Sequence, residues 1–229
     1  MTFNDRTVVV TGGTGALGRA VVGLLLAGRA RCVVPYVVPH EAASFPHKAN
    51  VTLVGPCELT DEAQVAQLYG QAGEIWASIH IAGGFEMSNL SDTTKAGLMH
   101  MVNMNLVTCH ICSRAALARF GTDGGRIVNV AARPSLEPRM GAGMTAYTAS
   151  KAAVAAFTQA LAAELAGRNI LVNAIAPSII DTPPNRAAMP QADHAAWPKP
   201  EEIAPTIAFL ASPDNKATTG AIVPVSGRT

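Results

Sequence analysis

The sequence predicts an α/β fold: one three-layer domain over residues 1–229, with helices on both faces of a doubly wound parallel sheet of about seven strands. Three observations carry that expectation. Short apolar runs alternate with longer helix-like segments along the whole chain. The runs are apolar at nearly every position, as strands covered on both faces require, whereas a half-exposed strand alternates. The 229 residues are 49% hydrophobic and only 14% charged, enough apolar mass for a continuous core.

The elements follow in order. Arg6 to Val10 is β-branched and runs into the glycine-rich turn Thr11-Gly12-Gly13-Thr14-Gly15. Ala16 to Ala27 reads as a helix with Gly28 as its cap. Cys32 to Val38 and Val51 to Val54 read as buried strands, the first unusual for its Pro35 and the Pro39 beyond it. Asp61 to Gln71 is amphipathic and Ile75 to Ile81 is another strand. Thr93 to Phe120 is one long helical stretch, followed by a strand at Arg126 to Val130. Ala146 to Leu165 is a strong Ala/Leu helix, Ile170 to Ile175 a strand, Glu201 to Ala211 the last helix and Ala221 to Val225 the last strand.

Charge and composition exclude several classes. Seventeen Lys and Arg against sixteen Asp and Glu leave a formal charge of +1 with no basic block, which speaks against a nucleic-acid binder. Low charge with a large apolar fraction excludes intrinsic disorder. The most apolar stretch near the N-terminus, Val21 to Ala27, is far shorter than the roughly 18–20 residues of a membrane span, and Met1 to Arg6 is not the start of a secretory signal. The four cysteines are too few to staple the chain. Cys109 and Cys112 are three apart around His110 with no second ligand pair at matching spacing, so they read as reduced core thiols, and no metal site is expected. A cytoplasmic protein is the expectation.

Two motifs carry chemistry. The first strand enters Gly12-Gly13-Thr14-Gly15-Ala16-Leu17-Gly18 and then a helix, where glycines allow close backbone approach and a helix N-terminus offers free N–H groups to a pyrophosphate. That position favours dinucleotide binding. An acid usually ends the second strand of such folds and holds the adenosine ribose. Tyr36 stands there instead, with no carboxylate before Glu41, and it either caps the strand or stacks on adenine. Loss of the acid removes repulsion against a 2′-phosphate, although no arginine replaces it. Arg19 follows the turn as a cofactor contact or a surface residue. The cofactor is therefore NAD(P)(H) with a slight lean to NADP. The second motif, Tyr147-Thr148-Ala149-Ser150-Lys151, puts phenol and ammonium on one helix face, where the cation favours the phenolate. A phenol tuned in that way exchanges a proton with a substrate oxygen near neutral pH.

With these motifs come IAGG (81–84), NMNL (103–106), GRIVNV (125–130), NAIAPS (173–178) with Thr182, and a TG-A-I-V-P-V tail (219–225). In this order, and over nearly the full length, the chain resembles the short-chain dehydrogenase/reductase family. The resemblance implies a Rossmann-type NAD(P)-binding domain and an oxidoreductase acting on a small carbonyl or alcohol. It implies Tyr147 as acid/base, Lys151 on the nicotinamide ribose and Asn105 holding a water of the proton relay. Gly12, Gly15, Leu17 and Gly18 would carry the diphosphate. Ala82, Gly83, Tyr36 and Glu58 would lie on the adenosine side, with Pro177, Ile180 and Thr182 on the nicotinamide side. A homodimer or homotetramer is implied, paired through the long helices.

The departures from the pattern matter as much. The family's serine, about 13 residues before the tyrosine, is replaced at the end of GRIVNV by Ala131-Ala132. Ser135, which follows Pro134, is the remaining candidate. Losing one preorganised donor to a developing oxyanion costs about 10²–10³ in rate. Ala16 replaces the usual middle glycine, and His80-Ile81 replaces paired asparagines. Phe85 after AGG, the missing serine, Asp181 to Pro190 and Gly227-Arg228-Thr229 resemble the dihydropteridine reductase branch. Generic carbonyl reduction leads. Reduction of a pterin-like quinonoid dihydropterin is the alternative, and a catalytically silent cofactor-binding protein is the second alternative. Asp181 to Trp197 is expected to be the substrate lid, stiffened by Pro183, Pro184 and Pro190, with Met189, His194 and Trp197 either facing the pocket or anchoring the lid on the core. A short, proline-rich lid suits a small or flat substrate.

Overall fold

The computed structural model describes residues 1–229. The strands are β1 (Thr7–Thr11), β2 (Arg31–Pro35), β3 (Thr52–Val54), β4 (Ala77–His80), β5 (Gly125–Val130), β6 (Ile170–Pro177) and β7 (Ile222–Val225). The helices are α1 (Ala16–Ala27), α2 (Pro39–Ala43), α3 (Glu62–Ala72), α4 (Lys95–Val102), α5 (Thr108–Leu117), α6 (Arg133–Leu136), α7 (Thr145–Glu164), α8 (Pro183–Ala188) and α9 (Pro200–Ala211). All seven strands are parallel, in the order β3-β2-β1-β4-β5-β6-β7. The chain winds outward from β1 to β3 and then returns to place β4 on the other side of β1, with Thr11 paired to His80. Ligands of such sheets sit outside the carboxyl ends of the strands at that reversal.

The predicted double coverage is present. Every residue of β1 and β4 is buried, and alternate side chains serve opposite faces. Val8 and Val10 pack with α1 and α9 through Val21, Leu25, Ile203 and Ile207. Val9 packs with α3 and α5 through Leu68, Tyr69 and Cys112. The α7 helix closes the second face through Val154 over Ala174, and through Leu161 over Ile127. No helix is long and apolar enough to cross a membrane.

Several expectations are corrected. The second strand stops at Pro35, three residues before the expected Val38, and Pro39 opens α2. Pro35 sits at the last position of β2, opposite Val54 and past the last pair with β1, where its missing N–H is harmless. The expected helical stretch from Thr93 to Phe120 is present from Lys95 to Leu117, with the refinement that α4 and α5 run into each other through a π-helical turn at Asn103–Val107. The short helices α2, α6 and α8 were not expected. Each has proline in its first turn and is too brief to show a period. Gly28 does cap α1, but with φ −84, and the left-handed residue is Arg29 at φ 61. Gly28 is small for packing: a Cβ there would stand 3.1 Å from the Phe3 ring.

Candidate active site

The glycine turn is shaped by space. Gly12 has φ 67, and a Cβ on it would lie 2.6 Å from the backbone nitrogen of Ala82. A Cβ on Gly18 would collide with the Gly12 carbonyl oxygen, and one on Gly13 would press on Val34 at 2.6 Å. Gly15 is the exposed N-cap of α1 and has no side chain to cap the helix, and no acid stands in the first turn. The N–H groups of a twelve-residue helix thus open to solvent beside a groove without Cβ atoms, which fits the diphosphate of a dinucleotide. Leu17 faces the apolar core, so only its backbone can serve a phosphate. Thr14, on the same turn, donates its hydroxyl to Glu41 Oε2 at 3.0 Å, and Arg19 Nε donates to the Thr14 carbonyl at 2.7 Å. A carboxylate from α2 thus reaches the glycine turn, although the end of β2 carries none.

Ala82 and Gly83 follow β4 and join this turn to the reacting end. A Cβ on Gly83 would stand 2.6 Å from Asn105 Oδ1 and 3.2 Å from Lys151 Nζ. Lys151 is buried, and its Nζ donates to the Val130 carbonyl at 2.9 Å, leaving two donors. Burial lowers its pKa to about 8, while the nearby Cys109 acts weakly the other way. Tyr147 lies one turn earlier on the same face of α7, edge-on to Phe85 with ring centroids 4.9 Å apart. Burial pushes its phenol up to about 12. The expected lowering of that pKa is therefore absent in the free protein, because desolvation outweighs a lysine whose ammonium is turned to Val130.

Asn105 is tied into the frame of the site. Its Oδ1 accepts from Gly84 N at 3.0 Å, and its Nδ2 donates to Gly84 O at 3.1 Å and Ser150 Oγ at 3.0 Å. Both amide donors are used, so the side chain ties the loop after β4 to α7, and only a lone pair of Oδ1 is left to hold a water. Ser150, which sequence reasoning passed over, completes the tie by donating to the Tyr147 carbonyl at 2.7 Å. Ala132 is buried at the start of α6, and Ser135 donates its hydroxyl to the Ala132 carbonyl at 2.6 Å. The remaining serine candidate is thus committed to a local turn.

The outer candidates divide. Tyr36 donates its hydroxyl to Gly55 O at 2.9 Å, and the exposed side chains after β2 are Val37 and Val38. Glu58 is exposed and accepts from the Thr60 amide and hydroxyl, shaping the entrance to α3. Pro177 ends β6 beside Val225, and Ile180 leans on the core. Thr182 caps α8, accepting from Asn185 N at 3.4 Å. In the lid, Trp197 is buried against His194 at 4.7 Å, and His194 bonds the Met189 carbonyl at 2.8 Å. Trp197 is an anchor. A cleft of about 780 Å³ is lined by Trp197, Lys199, Glu202 and Arg228, and neither Tyr147 nor Lys151 borders it.

A buried polar chain runs beneath the site. Asn129 Nδ2 donates to Thr158 Oγ1 at 2.9 Å, so its oxygen faces His80 Nδ1 at 2.8 Å. His80 then carries its proton on Nδ1, and its Nε2 accepts from Ser78 at 2.8 Å, while Ser78 accepts from Tyr69 at 2.6 Å. Burial lowers the His80 pKa to about 4. Cys109 and Cys112 are buried, and burial raises both thiols, Cys109 to about 12.

Comparison with known proteins agrees with this geometry. The sequence pattern of the short chain dehydrogenase family matches residues 6–193. A cis-4-hydroxycyclohexanecarboxylate dehydrogenase of Sinomonas cyclohexanicum is 32% identical over 98% of this chain and 96% of its own length. A short-chain dehydrogenase/reductase of Serratia marcescens superimposes with a TM-score of 0.90 at 26% identity, covering 99% of this chain and 98% of that one. A metagenomic blue fluorescent protein solved in complex with NADPH superimposes with a TM-score of 0.89 at 30% identity, covering 99% and 98%. With a glycine turn at the sheet reversal and the tyrosine–lysine helix across from it, the chain belongs to the short-chain dehydrogenase/reductase family of oxidoreductases.

Proposed function

We propose that this chain reduces a small carbonyl compound with NAD(P)H, using Tyr147 as proton donor. The carrying observation is the position of Ala82-Gly83, whose backbone touches the Gly12 turn on one side and Asn105 and Lys151 on the other. Cofactor cradle and reacting phenol therefore share one wall. Gly12, Gly15, the Leu17 backbone and Gly18 would hold the dinucleotide, which would supply hydride chemistry at its nicotinamide. Lys151 would offer its two free donors to the ribose hydroxyls, with Ile180 and Thr182 on the nicotinamide side.

The protonation states suit the reductive direction. A phenol near 12 is protonated at neutral pH and can give its proton to a carbonyl oxygen as the carbon becomes an alcohol. Lys151, charged below about pH 8, stabilises the resulting phenolate, which is reprotonated from solvent. With Ala132 in the serine position and Ser135 committed elsewhere, Tyr147 is the one side-chain donor to the oxygen. That same lack favours a second reading, reduction of a quinonoid dihydropterin, whose proton lands on nitrogen. The phosphorylated dinucleotide remains the expected preference by a small margin, narrowed by Glu41 on Thr14. A cytoplasmic homodimer or homotetramer is the accompanying expectation.

The test is oxidation of NADH and NADPH by the purified protein across a panel of aldehydes, ketones and a quinonoid dihydropterin. Turnover of at least one ketone, reduced about 10²-fold or more in Tyr147→Phe, is the expected result. Turnover of the dihydropterin alone selects the second reading. No turnover by a protein that binds the dinucleotide, or a Tyr147→Phe variant as active as the parent, leaves the silent binder.

A further inference from the structure

The mouth of the site bears an apolar rim that the reaction itself does not require. Half of the exposed large hydrophobic side chains of the whole chain lie on three loops at this edge: Phe85, Met87, Leu90, Leu136, Met140 and Ile179. Phe85 is the clearest case, with its ring 58% exposed and edge-on to the Tyr147 ring at an interplanar angle of 84°. Exposed aromatic side chains are costly to leave bare and mark binding surfaces when they cluster.

This loop is held in place. Asn105 grips both the N–H and the carbonyl of Gly84, next to Phe85. Ser88 bridges to Met144, three residues before Tyr147, and Thr93 donates to Ser88 Oγ at 3.0 Å. On the facing connection, a side chain on Gly141 would collide with Thr148, so the turn bearing Met140 is pressed against the residue after Tyr147. A ring presented to water on a pinned backbone is preorganised for a partner.

The charges at the rim do not point to an ionic ligand. Arg133 and Glu137 pair with each other at 3.1 Å, and the remaining Glu86 and Arg139 are opposite in sign. A carboxylate or phosphate on the substrate would meet no surplus of positive charge there.

We propose that the substrate is a neutral carbonyl compound bearing an apolar ring, which packs on the exposed face of Phe85 with its oxygen at Tyr147. This rests on the oxidoreductase reading above and adds the substrate class. Phe85 acts in it as the specificity-determining residue, and Met87 and Met140 supply adaptable apolar walls.

The experiment compares acetophenone and cyclohexanone with hydroxyacetone and pyruvate, in the parent, Phe85→Ala and Phe85→Leu. The ring ketones are expected to have kcat/KM about ten-fold or more above the polar ones. Phe85→Ala should raise KM for acetophenone about ten-fold without a matching change for hydroxyacetone, and Phe85→Leu should fall between. Saturation-transfer NMR reads acetophenone binding independently of turnover and should lose its signal in Phe85→Ala. Equal kcat/KM across the panel, or an equal loss for all substrates in Phe85→Ala, overturns the proposal and leaves the oxidoreductase reading standing. Acetophenone binding that depends on Phe85 in a protein that turns over nothing has the opposite meaning: the ring site stands and the reaction falls. Absence of both overturns both.

Discussion

The two ends of the site are built by different means. At the dinucleotide end, Gly12, Gly13 and Gly18 are specified by the absence of a Cβ, each pressed against backbone or Val34, and the groups offered are main-chain N–H. At the reacting end, everything is held by side chains: Lys151 on Val130, Asn105 on Gly84 and Ser150, and Phe85 on Tyr147. A backbone-built cradle has one solution and tolerates little change. A site held by side chains can lose a hydroxyl, as at Ala132, and still keep its frame.

That contrast can be broken first at the cradle. Gly18→Ala forces a methyl into the Gly12 carbonyl, so the turn must open, at a cost of about 1–3 kcal/mol typical of overpacking. Melting temperature should fall, and the thermal shift given by NADH or NADPH should vanish. At the adaptable end, Ala132→Ser restores a donor and should raise kcat for ketone reduction about ten-fold, less than the 10²–10³ that a fully preorganised donor is worth. An unchanged steady-state rate would show that the missing hydroxyl does not limit the reaction. The smallest effect belongs where the two styles meet. Glu41→Gln removes the carboxylate on Thr14 and should raise the NADPH-to-NADH ratio of kcat/KM roughly two- to five-fold, the size of one exposed charge interaction.

The same contrast explains what could be read from the sequence. The α1 helix was predicted at its observed limits because apolar period, glycine turn and cap agree. The glycines and the tyrosine–lysine spacing were legible because steric need and helix geometry are local. The π-helical turn at Asn103–Val107 was not, because the contacts that accompany it reach from Asn105 to Gly84, 21 residues earlier, and to Ser150, 45 residues later. The bonds of Glu41 and Ser135 were not legible for the same reason: they depend on α2 and α6, helices of five and four residues with no period of their own. For Tyr147 the spacing gives the wrong direction of pKa shift, because it reports a neighbouring charge and not the burial that outweighs it.

The buried polar chain through His80 also sets how many protons the protein takes up when it unfolds. Folded His80 titrates near 4, against 6.5 for the exposed side chain, so between those values the unfolded chain holds the extra proton. Stability therefore declines as pH falls from about 6.5 toward 4. On the alkaline side, Lys151 acts in the same sense, adding stability between about 8 and 10.5. From pH 9 upward it is opposed by Cys32 and Cys109, which stay protonated to about 12 when folded and ionise near 9.0 when unfolded. Denaturant midpoints followed across pH should thus trace a plateau between about 6.5 and 8 and a rise between about 8 and 9, with an acid limb that flattens in His80→Gln. The imidazole that stands where the family pattern has an asparagine thus makes the sheet itself sensitive to acid.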